Sequence, residues 1–188
     1  MKYLIFVFIL FSSMQAVADE TLTIDQGHSA VVFNWNHRGF SNPVARFDKL
    51  EGKIILNARD ITKSSVTVTI PLEGLHTAIE FLDRRLKGNE FFEAVKYPEI
   101  RFKSTRIVKG PMDTLTITGD LSVHGITKPV VLHARINKIQ PGSPLEPGRA
   151  GFEADTMLRR TDYEVDKYVP AVTDEVHVHI TLEAFQEV

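Results

Sequence analysis

The sequence contains no cysteine. This excludes thiolate catalysis, disulfide staples, Cys-ligated zinc, iron–sulfur clusters, covalent haem attachment and lipidation of an N-terminal cysteine. Excess positive charge is also missing. The 22 Lys+Arg face 24 Asp+Glu with no basic run, so no nucleic-acid partner is expected. No apolar run is long enough to span a membrane. There is no Gly-x-Ser-x-Gly, no HExxH and no glycine-rich phosphate loop. The carboxylate pairs Asp19-Glu20 and Asp174-Glu175 are adjacent, so their side chains point apart and make no acid/base couple. What the chain does have is 43% hydrophobic residues, including twelve phenylalanines, which excludes disorder.

The start reads as a secretory signal. Lys2 is the positive region, Leu4 to Phe11 the short apolar run, and Ala16-Val17-Ala18 the small-x-small cleavage pattern before Asp19. The expected organisation is a signal peptide over 1–18 and one domain over 19–188. The mature chain then carries 21 Lys+Arg, once Lys2 is gone, against 24 Asp+Glu. About 170 residues suffice for one core.

That domain is dominated by a period of two. Val31, Phe33 and Trp35 alternate with Val32, Asn34 and Asn36; Val66, Val68 and Ile70 with Ser65, Thr67 and Thr69. The pattern recurs around Ile100 and Phe102, from Leu115 to Leu121, from Val130 to Ile136, from Phe152 to Leu158, and from Val176 to Ala184. Runs near 20–25 and 44–57 bring the total to about nine. Gly110 to Asp113 and His124 to Pro129 read as short links, and Pro141 to Gly148 as a longer loop. Leu75, Ala78, Ile79, Leu82 and Leu86 break the period with a helical stripe, predicted to end at a left-handed Gly88. Nearby Phe91-Phe92 read as core plugs. Open antiparallel sheets leave sticky edges, and closure removes them. The fold predicted is all-β: a closed antiparallel barrel of about eight strands, with a helical insertion capping one end. Such a barrel can hold one small ligand.

His177-x-His179, with His133 on another strand, is the arrangement closest to a metal site. The alternation puts Val176, Val178 and Ile180 inside and these histidines in water, so no metal or other cofactor is expected.

Four motifs resemble those of the YceI-like family: Thr23-Ile24-Asp25 … His28-Ser29 with Phe33 and His37; Asn89-Glu90-Phe91-Phe92 … Tyr97-Pro98 … Phe102-Lys103-Ser104; Gly119-Asp120-Leu121 … His124-Gly125-Ile126-Thr127-Lys128-Pro129-Val130; and Gly151-Phe152 … Arg160-Thr161-Asp162-Tyr163. They run in order across the mature chain. Leu82-Asp83-Arg84-Arg85-Leu86 departs from the family's Arg-Asp-x-His-Leu, and Ala45 stands where the family usually has Gly. The resemblance implies a lipocalin-like periplasmic barrel, often homodimeric, that binds a polyisoprenoid (a polyprenyl phosphate or quinone tail) or a fatty amphiphile. The implied role is sequestering or carrying this lipid without catalysis. An enzyme acting on a prenyl or other hydrophobic substrate, and a barrel with a packed interior, are the alternatives. Candidate lumen residues are Phe33, Trp35, Phe47, Val68, Leu82, Leu86, Phe91, Phe92, Ile100, Phe102, Ile117, Gly119, Leu121, Leu132, Phe152 and Val178.

Overall fold

The computed structural model describes residues 19–143 and 145–187; the predicted signal segment lies outside them. Eleven strands form one antiparallel sheet: β1 Glu20–Ile24, β2 Ala30–Asn34, β3 Val44–Phe47, β4 Glu51–Leu56, β5 Ser65–Pro71, β6 Leu75–His76, β7 Glu99–Lys109, β8 Thr114–Val123, β9 Ile126–Gln140, β10 Arg149–Arg159 and β11 Glu175–Phe185. One α-helix, α1, spans Glu80–Lys87. The sheet closes where β1 meets β11 through Thr23–Phe185 and Ile24–Ala184. The ring β1-β4-β5-β7-β8-β9-β10-β11 is an eight-stranded barrel.

The eleven segments reduce to eight paths, because three paths are interrupted. β1 and β2 both pair with β11, separated by a 3-10 turn at Gln26–His28. Asp25 makes that turn by accepting the Gly27 N–H, at 2.9 Å. β11 stays attached through the gap: Glu183 N–H donates to Ser29 Oγ at 3.0 Å, and Ser29 Oγ donates to the Glu183 carbonyl at 3.2 Å. β3 and β4 are the broken form of the run predicted at 44–57, split at Asp48-Lys49-Leu50. β5 and β6 are split by Leu72–Gly74. The second and third breaks lie side by side, joined by the Asp48 N–H to the Gly74 carbonyl at 3.2 Å. Leu50, Leu72 and Leu75 fill the corner, each buried to within 1%.

The helix is shorter than the apolar stripe predicts. Leu75 belongs to β6, paired with Phe47, and Ala78 sits at φ +65°, which no helix accommodates. The cause lies in Thr77, whose backbone N–H and hydroxyl both donate to Asp83 Oδ1, the former at 2.7 Å. This folds the chain back one residue before Ile79 caps the helix. Leu82 and Leu86 keep the inward stripe. Gly88 is also not left-handed (φ −74°); the chain leaves the helix extended.

The long strands show how register controls which face is wet. On β8 the inward set runs unbroken through Leu115, Ile117, Gly119, Leu121 and Val123. On β7 a bulge between Ser104 and Arg106 shifts the inward set from Ile100, Phe102 and Ser104 to Ile107. The link predicted over His124–Pro129 is only two residues long: His124 and Gly125 turn at φ +52° and +78°, and β9 resumes at Ile126. Pro129 therefore lies inside a strand. It pairs with Asp120 on β8, while β9 gains β10 as a partner only from His133 onward. A residue without an N–H fits there, because that flank is already an edge.

Candidate functional site

The barrel encloses a cavity of about 880 Å³. Its walls take the inward faces of every long strand. Of the predicted lumen residues, Phe33, Trp35, Phe47, Val68, Leu82, Leu86, Phe91, Phe92, Ile100, Phe102, Ile117, Leu121, Leu132, Phe152 and Val178 all line it. Gly119 does not. It lies on the inward face, but the space a side chain would take is filled by the Phe102 ring, and a Cβ would also stand 2.6 Å from the Lys103 carbonyl oxygen. The glycine lets a neighbouring ring cross the β7–β8 pair instead of making room for a guest.

Aromatic rings run in series along one wall. Phe47 and Phe33 stack at 5.4 Å, Phe33 continues to Trp35 at 5.9 Å, and Phe92 meets Phe47 edge-on at 6.3 Å. Phe91 and Phe92 are positioned by a tight exit from α1, in which their N–H groups donate to the carbonyls of Gly88 and Leu86. At the far end Ile61 packs on Ile107, Leu115, Ala134 and Ala154.

The other end is polar and was not legible as a site. Three segments build it: the loop between β2 and β3, the α1 exit, and residues 160–173. Arg38, Arg85, Arg160, Lys167 and Tyr168 line the cavity there. Arg160 organises the third segment. Its guanidinium donates to the carbonyls of Thr173, Val165, Lys167 and Val172 at 2.8–3.1 Å. Its four bonds to its own loop hold that loop in place at the cavity wall. Beside it, Asp174 accepts from the Thr161 N–H and hydroxyl, both at 2.8 Å, and from Arg159 at 3.0 Å. Burial alone would raise the Asp174 carboxyl; these donors overcome it and hold the group below its ordinary value. Tyr163 is buried and its hydroxyl is pushed up to about 12, by burial first and the Asp162 charge second.

The residues of the third and fourth motifs meet at this end. Lys128 pairs with Asp162 at 2.9 Å, and His124 Nδ1 lies 3.2 Å from the Tyr163 carbonyl oxygen. His124 also packs edge-on against Tyr97 at 4.7 Å. These contacts clamp the β8–β9 turn to the loop after β10, where the two strands have parted.

The histidines predicted to face water do so. His133 and His177 are exposed, and His179 Nδ1 sits 2.8 Å from Asp155 on the outer face. Among the described residues no group of three or more His, Asp or Glu is arranged to hold a metal.

A small antiparallel sheet that closes on itself through β1 and β11 around an apolar lumen defines a class: the lipocalin-like barrel. The chain matches the YceI-like domain over residues 22–184, and it belongs to the YceI-like family. It is 32% identical to the YceI protein of Escherichia coli O157:H7 over 185 residues, covering 98% of this chain and 96% of the relative. It is likewise 32% identical to that of Salmonella agona over 183 residues, covering 97% and 95%. Among solved structures, Burkholderia cenocepacia BcnA superposes with a TM-score of 0.76 at 20% identity, covering 85% of this chain and 98% of that one. A polyisoprenoid-binding domain from Saccharophagus degradans superposes at 0.68 with 14% identity, covering 90% and 99%. At these identities the two structures speak to the fold.

Proposed function

We propose that this protein sequesters or carries an isoprenoid or similar long-chain amphiphile in the barrel lumen, in the periplasm after removal of residues 1–18, without catalysing a reaction. One observation carries the reading. The cavity of about 880 Å³ is walled mostly by aliphatic and aromatic side chains, and the arginines and lysine that line it gather at one end. A volume near the top of the usual range of about 300–1,000 Å³ suits a long guest. Each buried CH₂ is worth ~0.8 kcal/mol, so an isoprene unit contributes up to ~4 kcal/mol before ordering costs. Few units are needed before affinity nears its ceiling of roughly −18 kcal/mol. Such a guest needs shape and an apolar wall, which the lumen supplies. The S. degradans domain, named for polyisoprenoid binding, supports the same reading.

The test is organic extraction of purified protein followed by mass spectrometry, beside a Leu121→Trp variant that fills the middle of the lumen. A prenyl or other long-chain lipid should co-purify near one per chain with the parent and fall at least several-fold in the variant. A parent that carries no lipid and takes up no added prenyl chain would remove the proposal and leave the packed-interior alternative.

A further inference from the structure

We infer that the guest enters and leaves the lumen sideways, through a slot in the barrel wall between β9 and β10, and not through the polar end; this route rests on the lumen reading above. β9 starts at Ile126, but its ladder to β10 stops at the His133–Asp155 pair. β10 runs on to Arg159, paired there with β11. Carried past that last pair, the register sets Pro129 to Leu132 against Thr156 to Arg159 with no ladder between them. The gap is about 13 Å long at ~3.3 Å per strand residue. Its frame is fixed at both ends: the ladder holds one, and the Lys128–Asp162 pair at 2.9 Å and the His124 contact with the Tyr163 carbonyl hold the other. Between them the crossing bond is a side-chain one, the Thr156 hydroxyl donating to the Val131 carbonyl at 2.9 Å. Pro129 has no N–H with which to zip the seam.

The wall at this slot is one side chain thick. A hollow of about 720 Å³ lies on its outer side. Val130, Thr156, Leu158, Arg159, Tyr163 and Val178 line both that hollow and the lumen. A laddered wall opens only by breaking several backbone bonds together, whereas side chains change rotamer within nanoseconds when exposed. The outer lips of the slot are apolar. Val131 is 42% exposed and Met157 51%, on a face they share with Thr127, His133 and Asp155. A greasy chain arriving from outside therefore meets apolar surface before it meets the lumen.

The other routes are obstructed. Two further seams lack a full ladder, and in each a piece of chain fills the space. β6 pairs with β3 and not with β7, and α1 with its exit supplies Leu82, Leu86, Phe91 and Phe92 as wall on that side. Beyond Lys103, β7 loses β5, and there Ile61 packs on Ile107. The polar end is latched. Arg85 donates to the Tyr168 hydroxyl, Lys167 pairs with Glu90 at 2.9 Å, and the Phe91 and Tyr168 rings meet at 6.3 Å. These contacts tie the α1 exit to residues 160–173 across the opening, and the four carbonyl bonds of Arg160 stiffen that loop from within.

The experiment shuts the slot and times the guest. The chain has no cysteine, so Val131→Cys/Met157→Cys introduces the one thiol pair, on the outer lips, to be joined with the short reducible linker 1,2-ethanediyl bismethanethiosulfonate. The probe is all-trans-retinol, a prenyl alcohol whose polyene takes energy from Trp35, the single tryptophan, which lines the lumen. Loading and release are followed on delipidated protein by stopped flow. Linking should slow both rates by about tenfold or more, with Kd within about threefold, because a door changes the path and not the two end states; reduction should restore them. The same link in Lys103→Cys/Asp120→Cys, across the laddered β7–β8 pair, should change neither rate. Thr156→Val, which removes the crossing bond at equal size, should speed both rates about threefold or more, the worth of one hydrogen bond. A linked slot that loads as fast as the reduced one, or a Thr156→Val chain with the parent's rates, overturns the inference and leaves the lumen reading in place. A link that weakens Kd at an unchanged loading rate means a deformed lumen and overturns it too. Failure of retinol to bind the parent, in a chain that also carries and takes up no prenyl lipid, overturns both.

Discussion

The two halves of the barrel wall are built differently. From β7 to β11 the strands are 10 to 15 residues long and unbroken except by bulges. From β1 to β6 no segment exceeds seven residues, and every path is broken once. The long half supplies the chamber's even wall. The broken half supplies the corner and the helix. Regularity makes a container; interruption gives it an end with chemistry.

A glycine in each half tests this division most severely. In the broken half, Gly52 has φ +156°, and a Cβ there would run into the Thr67 carbonyl across the β4–β5 pair. In the long half, Gly119 is blocked by the Phe102 ring and the Lys103 carbonyl. Gly52→Ala and Gly119→Ala should each cost about 3 kcal/mol by denaturant unfolding, the upper range for overpacking and backbone strain. Adding Phe102→Leu should recover part of the loss in Gly119→Ala, since only the ring can retreat, and should do nothing for Gly52→Ala. A Gly119→Ala chain as stable as its parent would contradict the tight β7–β8 crossing.

Arg160 sits where the halves meet. Arg160→Met leaves four loop carbonyls without their donor and should destabilise by about 2–3 kcal/mol, given about 1–3 for each buried group left unmet and partial rescue by water. It should also lower lipid occupancy, whereas the parent's Arg38 can be changed to Gln with little effect on the melting temperature. If Arg160→Met melts like the parent, the loop is not held as described.

A smaller effect follows from pH. The Asp174 carboxyl lies below its ordinary value in the folded chain. The contribution is therefore complete above the unfolded value of about 3.9 and fades as pH falls through the lower, folded value. Asp174→Asn should flatten the acid limb of the stability profile. Tyr163 acts at the other extreme. Its folded value near 12 exceeds the unfolded one, so the stability it adds is whole below about pH 10 and is lost as pH rises towards 12. Tyr163→Phe should flatten the alkaline limb, as read by unfolding at pH 9 and 11.

The smallest effect concerns the outer face. His177→Ala with His179→Ala should change stability by no more than about 0.5 kcal/mol and leave lipid occupancy unchanged. Zinc retained through dialysis by the parent and lost in this variant would refute it.

These comparisons also explain what could be read in advance. The long half was legible because one wet face and one apolar face impose a period of two, and Leu115 to Leu121 or Val176 to Leu182 follow it without exception. The broken half was harder. Leu75 fits a helical stripe and a strand equally well by spacing; the Thr77–Asp83 contact decides, and no period reports it. Gly119 had the correct face but the wrong role, because alternation gives the direction of a side chain and says nothing about whether a ring from the next strand already fills the space. The end cations were missed for a third reason. Arg38, Arg85 and Lys167 lie far apart in sequence on segments without periodicity, and only chain closure brings them together. Arg85 alone carried a signal, as a departure from the family's usual histidine.

The closure has a consequence for how the protein is made. β1 meets β11 through Thr23–Phe185, so the chain's earliest strand is sealed by its last. Contacts this distant in sequence are slow to form, since the intervening chain must be ordered first. Until the eleven residues of β11 arrive, the other strands pair at most into two open pieces, β1-β4-β5-β7-β8-β9-β10 and β2-β3-β6, each with raw edges and an uncovered apolar face. The container comes into being at the final step of assembly, and a chain shortened by that one strand has no inside.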